Sequence, residues 1–82
     1  MDARTIKQLL EQKMPGAEVR VRGDDGVHFE AVVVSEAFEG KSLLQQHRMV
    51  YAVLGEQVSN QAIHALALKT YTPANRPDDL QG

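Results

Sequence analysis

The stretch NQAIHALALKTYTP, residues 60–73, reads as a short alternating strand that Pro73 stops. Leu66 and Leu68 share one face with His64, and Ile63, Ala65 and Ala67 take the other. Both faces are apolar, so the pattern does not say which side of a sheet His64 joins. His64 therefore has two readings at this point. It is either a part-buried histidine bonded to a neighbour or a ligand held at the start of a strand.

The segment before this strand is helical. Leu43, Leu44, His47, Val50, Tyr51 and Leu54 recur at helical spacing and predict one apolar stripe. Ser42 and Gln45 have capping-box spacing. Gly55 ends or bends the helix, and EQVSNQ (56–61) fits a short extra turn. SEAFEGK (35–41) is an irregular link around Phe38 and Gly40.

Further back lies a hairpin. Ala17, Val19 and Val21 alternate with Glu18, Arg20 and Arg22. After GDDG (23–26), Val27, Phe29, Ala31 and Val33 alternate with His28, Glu30, Val32 and Val34. A two-residue turn at Asp24-Asp25 would set mismatched faces together, because a one-residue slip turns every side chain over. Matching Val19 and Val21 to Phe29 and Ala31 requires an odd connection, expected as three or five residues. His28 then shares a face with Arg20, Arg22 and Glu30. The chain opens with a helix whose stripe is Ile6, Leu9, Leu10 and Met14, with Asp2 as N-cap and Pro15-Gly16 as terminator.

The order is helix, strand, strand, helix, strand. A helical crossover makes the third strand parallel to the second. The expectation is an α+β domain, 1–73, with a three-stranded mixed sheet and both helices on one face. Residues 74–82 have no apolar pattern and are expected as a flexible tail. If the parallel strands are neighbours, His28 and His64 lie toward one end of the molecule.

Composition narrows the function classes. The 82 residues fit one small domain. Without cysteine the chain has no disulfide, no thiol nucleophile and no thiolate with which to hold a metal alone. The charged start MDARTIKQLLEQK does not read as a signal peptide, and no apolar run is long enough to span a membrane, so a cytoplasmic protein is expected. Nine basic against eleven acidic residues give a net charge of −2, which counts against a dedicated nucleic-acid binder. No serine–histidine–acid set is recognisable, GDDG would repel phosphate, and GEQV (55–58) lacks the second glycine of a phosphate clamp. The chain is not expected to be an enzyme. Taken singly, His28 reads as an exposed strand residue and His47 as a structural one on the helical stripe.

Four pieces then carry a family likeness: DGVHFE (25–30), FEGKS (38–42), HRMVY (47–51) and IHALALKTYTP (63–73). Together they resemble the BolA family, especially its shorter bacterial members, over nearly the whole chain. The resemblance implies a class II KH-like fold and partnership with a monothiol glutaredoxin. It implies a 2Fe-2S cluster bridged between the two proteins, with the glutaredoxin cysteine and glutathione as thiol ligands. His64, in the IHAL motif, would be this chain's ligand, and His28 the second. The family's basic residue before His47 is replaced by Gln46. Such a chain completes a partner's cluster and binds none alone, since these clusters need mostly thiolates. The alternative expectation is a KH-like nucleic-acid-binding regulator that contacts DNA through Lys41, Arg48 and Lys69. A weak homodimer of the free chain is compatible with either.

Overall fold

The computed structural model describes residues 3–23, 28–55 and 66–77. Helix α1 runs Ala3–Lys13, strand β1 Glu18–Arg22 and strand β2 Phe29–Val34. Helix α2 runs Leu43–Leu54 and strand β3 Leu66–Tyr71. The expected N-cap Asp2, the GDDG tip beyond Gly23, and the short turn at 56–61 lie outside the described residues.

α1 buries Ile6 and Leu10 and half-buries Leu9, and Met14 just past its end is half-buried too, which is the expected stripe. It stops where Gly16 takes φ +84, a left-handed conformation that side chains resist. The chain then enters β1. β1 and β2 pair antiparallel, with Val19 opposite Val33 and Val21 opposite Ala31. The apolar residues thus share a face, as the parity argument requires. The last pair is Arg22 with Glu30, so residues 23–29 lie between the last paired positions of β1 and β2: an odd number, but longer than the three or five expected. Gly23 explains part of the extra length. A Cβ there would stand 2.5 Å from Phe29 Cδ1, so the chain passes directly over the Phe29 ring before turning.

β2 is the central strand, and β3 lies parallel to it, Phe29 opposite Leu66 through Val34 opposite Tyr71. Val19, Phe29, Ala31, Val33 and Leu66 meet Ile6, Leu10, Phe38, Val50 and Leu54 in a single buried core. Both helices therefore cover one face of the mixed sheet. Each of the larger side chains contributes about 1.5–3 kcal/mol on burial.

Three details differ from the sequence reading. The 35–41 link contains a 3-10 turn, Glu36–Phe38, capped by the Ser35 hydroxyl, and it sinks Phe38 completely into the core. α2 has the expected Ser42–Gln45 capping box, but Leu43 and Leu44 are 61% and 60% exposed while Gln46 is buried. The buried line of α2 therefore runs through Gln46, Val50 and Leu54, and Leu43 and Leu44 stand outside it. Lastly, the first residues of the expected tail are ordered against the sheet. Pro73–Asn75 form a 3-10 turn in which Asn75 Oδ1 accepts from the Thr72 N–H at 2.7 Å. Arg76 then donates twice to Glu18, at 2.6 and 2.7 Å. Among the described residues, no helix is long and apolar enough to cross a membrane.

Candidate functional site

In a parallel pair both strands start at the same end. The first pair in the β2–β3 ladder is Phe29 with Leu66. Phe29 is buried, and the bare Gly23 lets its ring seat under the hairpin. This anchors the entry to β2. His28 directly precedes Phe29 and is exposed. Glu30, the next residue on the outer face, pairs with Arg22 at 3.3 Å, so the expected face partnership across the hairpin is present. His64, two residues before Leu66 in sequence, lies outside the described residues. Among the described residues no three His, Asp or Glu side chains gather around a common point, so at this end they offer the single imidazole of His28 and no enclosed metal cage. An exposed neutral imidazole can act as one ligand to a centre whose other ligands come from elsewhere.

The cations of the alternative reading are Lys41, Arg48 and Lys69, all exposed. Lys41 leads into α2 and Arg48 lies on it. Lys69 lies on β3, where it borders a groove that also touches Leu43, His47 and Tyr71. Lys41 and Arg48 do not line that groove. His47 is half-buried on the α2 stripe, and its Nε2 is sealed with no hydrogen-bond partner among the described residues.

Gln46 escaped the sequence reading, which treated it only as a missing basic residue. Its side chain points inward. Gln46 Nε2 donates to the Lys41 carbonyl at 3.0 Å, and its Oε1 accepts from the Thr70 hydroxyl at 2.7 Å. It ties the lead-in of α2 to β3. The position is one turn from Val50 on α2, which was a visible hint that it faces the core.

A hairpin extended by a parallel third strand through a helical crossover, with both helices on one face, defines an α+β domain of the class II KH-like type. The chain belongs to the BolA family. The family model described as BolA-like protein matches residues 10–75. The acid stress protein IbaG of Escherichia coli strain K12 is 38% identical over 74 residues, covering 90% of this chain and 87% of the relative. The DNA-binding transcriptional regulator BolA of the same strain is 51% identical over 45 residues, 55% of this chain and 42% of that protein. The solved structure of a BolA protein homologue from Coxiella burnetii superimposes with a TM-score of 0.75 at 42% identity, covering 100% of this chain and 99% of that one.

Proposed function

We propose that this chain is an iron–sulfur partner protein rather than an enzyme. In this reading it binds a monothiol glutaredoxin in the cytoplasm and supplies imidazole to a shared 2Fe-2S cluster, in cluster trafficking or in iron and stress regulation. The carrying observation is the β2–β3 register. Phe29 faces Leu66, so the chain enters both strands at one end of the sheet, with exposed His28 one residue before Phe29. His64 comes two residues before Leu66, and two residues of chain reach at most about 7 Å. The chain has no cysteine. The thiolates that such a cluster requires must then come from the partner and glutathione, while this chain adds His64 and His28. Because a protonated imidazole cannot ligate, the shared assembly should be acid-sensitive.

The test mixes the chain with a monothiol glutaredoxin, glutathione, iron and sulfide, and records visible circular dichroism. A spectrum distinct from the glutaredoxin alone, lost in His64→Ala and altered in His28→Ala, is expected. An unchanged spectrum in the His64→Ala complex would remove the reading.

A second reading rests on the DNA-binding relative. Here Lys41, Arg48 and Lys69 contact phosphate. Duplex binding should fall steeply with salt and weaken in Lys41→Glu and Arg48→Glu. Absence of binding at low salt discards it.

A further inference from the structure

β3 is an edge strand: β2 pairs with one side, and no strand among the described residues pairs with the other. The free edge can be assigned. The Tyr71 carbonyl accepts from the Ser35 N–H, on the β2 side. Backbone groups alternate along a strand, so those of Leu66, Leu68 and Thr70 face outward. An edge of this kind is a template for an added strand.

Beside it lies a groove of about 280 Å³, lined by Leu43, His47, Leu68, Lys69, Thr70 and Tyr71. Leu43 borders the groove, and its neighbour Leu44 is exposed to the same degree. Neither α2 (LLQQHRMVYAVL) nor β3 (LALKTY) contains an acidic residue. Lys41, Arg48 and Lys69 form no ion pair among the described residues. Lys69 puts a cation on the rim of this partly apolar groove, on a chain of net charge −2, while Lys41 and Arg48 lie outside its lining.

We propose that the β3 edge and this groove dock an extended acidic segment of a partner protein. The added strand would bond to the outward groups of Leu68 and Thr70. Its alternate side chains would enter the groove, and a carboxylate would meet Lys69. A second copy of this chain fits poorly, because edge-to-edge pairing would bring Lys69 toward its own counterpart. Nucleic acid would leave the strand edge and the apolar groove unused. The surface lies along the later half of β3, away from the strand entries, and the inference does not depend on cluster binding.

The test pans a random peptide library against the immobilised whole chain. Enriched sequences should alternate apolar residues with Asp or Glu. A synthetic peptide of that consensus should shift the Leu68 and Thr70 amide resonances. Lys69→Glu, shown folded by circular dichroism, should weaken it about ten-fold, the loss of roughly one close charge contact. N-methylation of alternate peptide bonds should abolish binding. The proposal fails if nothing is enriched, if enriched peptides are basic or helical, or if the N-methylated peptide binds equally. It also fails if the same amides shift on self-association, or only with a single-stranded oligonucleotide.

Discussion

Thr70 donates its hydroxyl to Gln46 Oε1 across 2.7 Å, joining two buried side chains 24 positions apart in sequence. The other end of the Gln46 amide holds the Lys41 carbonyl, so one side chain fastens three parts of the chain. Gln46→Leu leaves the buried Thr70 hydroxyl and the part-buried Lys41 carbonyl without this partner, and should cost about 1–3 kcal/mol in urea unfolding. Adding Thr70→Val should recover part of that loss, since removing both members of a pair is cheaper than orphaning one. An additive double mutant would contradict this account.

The Arg76–Glu18 pair should make stability depend on pH in a defined direction. The Arg76 hydrogen bond, more than the charges of Arg76 and Arg20, holds the Glu18 carboxyl below its ordinary value of 4.5, against partial desolvation. A lowered carboxylate contributes stability above its unfolded value and loses it as pH falls through the folded value. The urea midpoint of Arg76→Gln should therefore lie below wild type at neutral pH and converge with it in acid below 4.5. A gap of constant size across that range would refute the pair's role.

Gly23→Ala should be destabilising through a collision, because the new Cβ would meet Phe29 Cδ1 at 2.5 Å and Cε1 at 2.8 Å. Overpacking of this type costs about 1–3 kcal/mol. Its thermal midpoint should partly recover when Phe29→Leu removes the ring. No recovery would mean that the loss arises in the turn and not in the core.

Leu43→Ser and Leu44→Ser should each change unfolding stability by no more than about 0.5 kcal/mol, as surface substitutions do. Were these leucines packed as the helical stripe suggests, each would cost several times more, about 2–5 kcal/mol for a core leucine cut to a small residue. Chemical denaturation separates the two outcomes directly.

The parts of the fold legible in the sequence were those governed by local period. The Ile6–Leu10 stripe, the Val19 and Val21 alternation, the Ser42–Gln45 box and the Pro73 stop each depend on neighbours within a few positions. Leu43 and Leu44 misled because periodicity cannot tell which apolar positions of a helix another element covers. Gln46 was overlooked because its partners, Lys41 and Thr70, are brought to it only by tertiary folding. Arg76 reaches Glu18 across 58 positions, beyond any local pattern. Of the candidate site, the strand topology could be read, since strand–helix–strand order already implies that β2, which His28 precedes, and β3 start at one end of the sheet. The exposure of His28 could be read too, from its place beside the charged outer residues Arg22 and Glu30.

The central place of β2 bears on how the chain is made. FEAVVV is short, apolar and rich in β-branched residues, and its second partner, β3, comes after the whole of α2. A nascent chain emerging from the ribosome must hold this strand with one edge bare until Leu66–Tyr71 arrives. Such a segment is a site for wrong pairing between chains. Chains cut short before β3 should thus accumulate as aggregates rather than as smaller domains, and the last strand serves the protein as much by sealing β2 as by the surface it adds.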